Sequence, residues 1–188
     1  VDPLGYGLSD VAKHYIAGLI KYAPEFSLIT NQYVNSYKRL QAGREAPVYC
    51  TWANRNRNAL VRVPMYKPGK AESTRFELRS PDPACNPYLA LAVCLAAGLD
   101  GIEKGMTPPD EITENIFAMD NAQRAANGIG SLPGTLSEAV SAMQTDPLMR
   151  ETLGEHVYSY FIEGKMHEWD EYRTRVSSWE VEKYMISY

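Results

Sequence analysis

Residues 74–102 read TRFELRSPDPACNPYLALAVCLAAGLDGI. Phe76 and Leu78 alternate with Arg75, Glu77 and Arg79, the period of a strand with one apolar face. A few residues on, Asn86 is a helix cap and Pro87 suits the first helical position, where a missing N–H costs nothing. The run YLALAVCLAAGL that follows is rich in alanine and reads as a helix packed tightly inside a protein, with Gly105 as its stop. Its length of about 12 residues is well short of the roughly 20 a membrane helix needs. A strand followed by a capped, buried helix sets the class, and the other face of that strand sets a problem. It carries two arginines and a glutamate within five residues, and charges on a sheet are costly unless something holds them.

Outward from this stretch, the remaining elements alternate little and are mostly helical. Ser9 caps a helix expected over roughly residues 10 to 22, with Val11, Tyr15, Leu19 and Tyr22 at helical spacing and Pro24 after its end. Residues 31 to 47 have little periodicity and read as an ordered loop. VYCTWA, NALVRVPMY and TRFELR read as strands, the last two joined by KPGKAES into an antiparallel hairpin. Residues 106 to 134, rich in Pro, Gly and Asn, read as mostly loop. TLSE at 135–138 is a capping box opening a short helix to about Gln144, and Asp146 with Pro147 starts another. A long helix is expected from Glu155 to about Arg173, then a last turn or two in SSWEVEKYMISY. The order is one helix, a few antiparallel strands, then mostly helix, which is α+β.

Composition bounds the chemistry. The 188 residues, 45% hydrophobic and 22% charged, suffice for one domain or part of a larger one. A net charge of −4 argues against nucleic acid as partner, since no basic excess exists to neutralise phosphates. Cys50, Cys85 and Cys94 are odd in number and form no CxxC pair, which suits a reduced, cytoplasmic protein. The opening VDPLGYGLSD has neither a basic nor an apolar leader region and reads as the middle of a chain, so a fragment is expected, with no membrane partner.

The densest charge in apolar surroundings comprises Arg39, Arg44, Glu45, Arg55, Arg57, Arg62, Arg75, Glu77 and Arg79. Arginine's planar fork matches carboxylate and phosphate oxygens, and a glutamate among arginines can ligate Mg²⁺. Two readings stand side by side: a structural ion-pair network, or a pocket for an anionic substrate, a phosphate with metal. Neither GxxxxGK[ST] nor GxGxxG follows a strand, and no HExxH or GxSxG occurs. His156 and His167, with Glu163 nearby on the long helix, read as surface residues rather than a zinc site, and the tyrosines as packing and interface residues.

NSYKRL, GREAP, RNRNALVRVP, the stretch quoted above and SLPGTLSEA resemble, in order and spacing, the C-terminal part of the catalytic domain of type I glutamine synthetases. The likeness covers essentially all of residues 1–188, through FIEGKMHEWDEYRTRVSSWEVEKY. That family joins glutamate and ammonia at the expense of ATP through γ-glutamyl phosphate, with Mg²⁺ or Mn²⁺, usually as a homo-oligomeric dodecamer. The resemblance makes Glu77 a metal ligand beside the ATP phosphates. It makes Arg39 and Arg79 holders of substrate glutamate, and Arg62 a contact to ATP. Arg57 becomes the arginine that stabilises the transferring phosphoryl group, in reach of ATP and glutamate. Glu45 becomes the flap glutamate that closes over substrate and takes a proton.

The resemblance departs in the flap, which reads AGREAP, with Ala42 and Arg44 where the family reads close to PGYEAP. It also implies that the N-terminal β-grasp domain and the upstream catalytic half, with further metal-binding glutamates and a histidine, lie outside these residues. About half an active site would then be present. Where adenylylated members carry a tyrosine after the AGLDGI helix, NIFAMD places Phe117. Two alternatives accompany the ligase reading: a γ-glutamyl-amide or polyamine ligase of the same superfamily, and a non-catalytic oligomerisation or regulatory module using Trp169, Trp179 and Tyr184.

Overall fold

Two long helices crossing at a seam of glycines form the centre of the molecule. The structure, a computed structural model, describes residues 6–43, 46–54, 56, 58–65, 70–112 and 116–185. Helix α1 spans Asp10–Thr30 and helix α3 Pro87–Glu103, with the short helix α2, Val34–Arg39, and three strands between them. Strands β1 (Trp52–Asn54), β2 (Val61–Val63) and β3 (Glu77–Leu78) form one small sheet in that order. Helices α4 (Asn121–Ala126), α5 (Leu136–Met143), α6 (Pro147–Arg173) and α7 (Ser178–Tyr184) complete an α+β architecture dominated by helix.

The caps act where the sequence places them. Ser9 accepts from the Ala12 N–H, Asn86 from those of Tyr88 and Leu89, and Thr135 from that of Glu138. Gly105 stops α3 at φ +58°, a left-handed conformation that glycine adopts without strain. Gly154, at φ +73°, interrupts α6 and separates the short helix begun at Pro147 from the long one ending at Arg173. Helix α1 does not end before Pro24, as expected; it continues to Thr30. Proline costs a helix about 3 kcal/mol, and burial of Ala23, Phe26, Leu28 and Ile29 around and beyond it offsets that.

At the crossing, a Cβ on Gly18 would stand 2.1 Å from the Ala97 carbonyl oxygen, and one on Gly101 2.3 Å from that of His14. Only hydrogen at these positions lets the backbones meet. Polar contacts flank the seam. Tyr22, almost fully buried, donates its hydroxyl proton to Asp100 at 2.7 Å, and Tyr15 donates to the Cys94 carbonyl at 3.0 Å. Burial works to raise the Asp100 pKa, but hydrogen bonds from Lys104 and Tyr22 outweigh it and hold the carboxyl below its usual range.

The sheet corrects the expectation of antiparallel strands throughout. Strands β2 and β3 pair antiparallel, as a hairpin should, but β1 and β2 run parallel. Parallel neighbours ordinarily need a long crossover. Here β1 and β2 have three residues each, a length of about 10 Å, so a long crossover is not needed to bring them side by side. The outer edge of β1 is covered by residues 109–112: Ile112 N–H donates to the Trp52 carbonyl at 3.2 Å, and Trp52 Nε1 to that of Pro109 at 2.7 Å. VYCTWA is accordingly only partly strand, its first half pairing instead with residues 130–132 around an isolated Tyr49–Ser131 bridge. Among the described residues no helix is long and apolar enough to cross a membrane.

Candidate functional site

The alternation in TRFELR decides which side chains share a face. Val61 and Val63 of β2 are buried, and Phe76 and Leu78 pack against the same core. Arg62 and Glu77, paired across the strands, are thereby turned to the opposite face. Arg62 donates to Glu77 Oε2 from Nε at 3.0 Å and from Nη2 at 2.5 Å. The second oxygen, Oε1, lies 3.3 Å from Arg75 Nη2. One carboxylate is thus held between two guanidinium groups, with the Arg62 and Glu77 side chains 26% and 30% exposed. At that exposure such a pair contributes at most about 1 kcal/mol to stability.

Arg79 follows on the same face by alternation, its backbone N–H extending the ladder to the Leu60 carbonyl at 2.9 Å. Arg39 reaches the end of this strand from a different element. It lies in the last turn of α2, a helix within the segment expected to be loop. Its Nη2 donates to Ser80 O at 2.5 Å and to Asn31 Oδ1 at 2.8 Å, and its Nε lies 3.8 Å from Asp82 Oδ2. Asn31 is the fully buried C-cap of α1, its own amide donating to Thr30 Oγ1 at 3.0 Å. Asp82 N–H in turn donates to the Thr30 carbonyl at 2.8 Å. Three chain segments therefore close around one guanidinium.

The structure brings four of the six predicted site residues to one hairpin: Arg62 and Glu77 in contact, Arg79 beyond them, and Arg39 tied to Ser80. Glu45 and Arg57 lie outside the described residues, as do Arg44 and Arg55. Sequence reasoning missed Asn31, Ser80 and Asp82 as the groups that hold Arg39. Ending α1 before Pro24 hid Asn31, although SPDP at 80–83 directly follows the strand.

A metal ion would find one carboxylate here. Among the described residues no three His, Cys, Asp or Glu side chains are grouped to hold one. Mg²⁺ binding by one or two carboxylates depends on phosphate and water to complete its shell. Glu77 fits as one ligand of a shared set and does not suffice by itself. His156 and His167 are exposed, and the His156 ring lies tilted, 4.7 Å from that of Tyr160. Chemically, the arrangement is a fixed row of forks and one carboxylate, suited to binding an anion with several oxygens.

Comparison with known proteins bears on the same residues. The glutamine synthetase catalytic-domain family matches residues 1–184. The chain is 50% identical over 183 residues to a glutamine synthetase of Thermus thermophilus, covering 97% of this chain and 40% of that protein. It is 51% identical over 182 residues to a glutamine synthetase of Clostridium saccharobutylicum, covering 97% and 40%. Among solved structures it is similar to a GmaS/ADP complex, with a TM-score of 0.81 and 32% identity, covering 96% of this chain and 41% of that one. The chain thus spans about 40% of the length of the curated relatives it matches.

Proposed function

The chain belongs to the glutamine synthetase family, and from that premise we propose that it is the C-terminal part of a catalytic domain that joins ammonia to glutamate at the expense of ATP. The observation that supports this most is the Arg62–Glu77 pair at 2.5 Å on a partly exposed face backed by core, with Arg79 and Arg39 at the end of the same strand. Arginine forks at fixed places are what a reaction between two anionic reactants requires, since phosphoryl transfer is mostly positioning and charge neutralisation.

In this reading Arg39 and Arg79 hold the carboxylates of glutamate. An oxygen of its γ-carboxylate attacks the γ-phosphorus of ATP, and the bond to the departing ADP breaks. Arg57 neutralises the phosphoryl oxygens in passage and Arg62 those of the nucleotide. Ammonia then attacks the γ-carbonyl carbon, phosphate leaves, and Glu45 takes the surplus proton while closing the flap. Glu77, with residues beyond this chain, would hold Mg²⁺ or Mn²⁺, which would supply charge neutralisation at the phosphate oxygens. Arg62 and Glu77 keep each other in place; Arg62 would turn to phosphate oxygens and Glu77 would serve as a metal ligand. The parent protein acts in the cytoplasm as a homo-oligomer, a dodecamer by its likeness to the type I enzymes.

Relatives about 50% identical that are glutamine synthetases favour ammonia over an amine as the acceptor. The test is phosphate release by the full-length parent with ATP, glutamate and either ammonia or alkylamines. Glu77→Ala should lower turnover by roughly 10²–10³-fold with folding intact. Near-normal turnover of the variant at saturating Mg²⁺ would remove Glu77 from the metal set, and a preference for alkylamines would replace the ligase reading with the amide-ligase one.

A further inference from the structure

Arg39 stands in a helix of six residues, too short to keep an orientation of its own. On its inner side α2 buries Ser36 and Tyr37. On its outer side it meets the distal half of α6 through two reciprocal contacts. Lys165 of α6 sets its Nζ 4.8 Å from the ring centroid of Tyr33, the N-cap of α2. Lys38 of α2 sets its Nζ 5.1 Å from the ring centroid of Tyr172 on α6. Lys165 is fixed further by Glu168 at 2.7 Å, its side chain only 13% exposed. The contacts flank a groove of about 380 Å³ with Val34 and Asn35 on one wall and Glu168 and Tyr172 on the other.

We propose that Lys165 and Tyr172 are positioning residues, which set the place of α2 and through it the aim of Arg39 at the substrate carboxylate. The proposal rests on the reading of Arg39 given above. Two observations support it over simple structural glue. The last buried residue of α6 is Ile162, and beyond it only the partly buried Trp169 packs against the core, so Lys165 and Tyr172 are not themselves core residues. Arg39, in turn, is fastened through Nη2 to Asn31 and Ser80, so displacement of α2 would pivot the guanidinium about that nitrogen. A bidentate fork tolerates little such rotation, and small misplacements of a binding group are expensive.

The experiment is steady-state kinetics of the full-length parent enzyme carrying Lys165→Met, Tyr172→Ala and both together. Conservative partners are Lys165→Arg and Tyr172→Phe, which keep the cation and the ring, and Arg39→Gln serves as reference. The double variant should raise KM for glutamate roughly three- to tenfold, while kcat, KM for ATP and the melting temperature hold. The conservative variants should restore the parent value. If Arg39→Gln raises KM for glutamate but the double variant does not, the positioning role is overturned and the reading of Arg39 survives. If Arg39→Gln leaves KM for glutamate unchanged, that reading itself fails and takes this proposal with it. A double variant that loses kcat, both KM values and melting temperature together shows glue alone and also overturns it.

Discussion

Replacing Gly18 by alanine tests the seam on which the rest of the architecture hangs. The added Cβ would stand 2.1 Å from the Ala97 carbonyl oxygen and 3.1 Å from the Gly101 Cα, where ordinary contact is about 3.5–4.0 Å. The obstructing atoms are backbone in a buried helix, so no side chain can swing aside and the helices must part. Overpacking of this kind costs about 1–3 kcal/mol. Stretching the Tyr22–Asp100 hydrogen bond adds about 1 kcal/mol, and alanine's better helix propensity returns about 1 kcal/mol. The net loss is about 1–3 kcal/mol. At about 2–4 °C per kcal/mol for a chain of this size, the melting temperature should fall by about 2–12 °C, read by circular dichroism at 222 nm. Gly98→Ala should cost less, because the atoms it meets belong to the Tyr15 ring, which can rotate away. Gly164→Ala should stabilise by about 1 kcal/mol, since that helical glycine is exposed with nothing within 4 Å. A Gly18→Ala variant as stable as the parent, or one that gains what Gly164→Ala gains, would refute the close crossing.

Five further outcomes are expected. The purified 188-residue chain should fold at least partly yet form no glutamine, because Glu77 is its one recognised metal carboxylate; ammonia-dependent glutamine formation would refute this. It should also self-associate through the exposed stripe Tyr88, Leu91, Leu95 and Leu99 on α3, with Leu91→Glu reversing the effect; a monomer in sedimentation at high concentration would contradict it. The full-length parent should resist adenylylation, since Phe117, whose ring lies 5.8 Å from that of Tyr49, has no phenolic oxygen to attack the nucleotide; a nucleotidyl adduct mapped to residues 114–120 would show otherwise. Alkylation at pH 8 should reach Cys85 before Cys50 and Cys94, whose thiols burial raises from 9.0 to about 12. The folded thiols keep their protons where unfolded ones lose them, so stability should fall as pH rises from about 9 toward 12, and denaturant midpoints flat across that range would contradict the assignment.

Local chemistry made the capped helices legible. Ser9, Asn86, Thr135 and Asp146 each announce a helix start by satisfying orphan N–H groups within three residues, a demand that needs no tertiary context. The misreadings share an opposite cause. Pro24 is a local stop signal overruled by burial on α1, and α2 lacks periodicity because tertiary contacts, not its own amphipathicity, make it a helix. The parallel pairing of β1 with β2 was illegible because it depends on strand length, and the expected strands run six to nine residues where two or three are paired. Alternation in sequence records which face is buried. It does not record how many residues find a partner.

The candidate site follows the same division. Its Arg62–Glu77 half could be read because the alternation of TRFELR and the paired strand register express one geometric rule, period two, at both levels. Its Arg39 half could not. The guanidinium is placed by Asn31 at the end of one helix and by Ser80 and Asp82 after a strand, 41 and 43 residues along the chain from Arg39 in the latter cases. None of those groups, two side chains and one backbone carbonyl, carries a pattern, since each acts once. The resemblance to a family named Arg39 without saying what holds it. A substitution at Asn31 is therefore as informative as one at Arg39: Asn31→Leu removes the acceptor on Nη2 while filling similar volume, and should loosen the aim of Arg39 without touching any charge. In the full-length enzyme that predicts a raised KM for glutamate with the Arg62–Glu77 pair undisturbed. A glutamate KM equal to the parent's would mean that Ser80 alone suffices to hold the arginine.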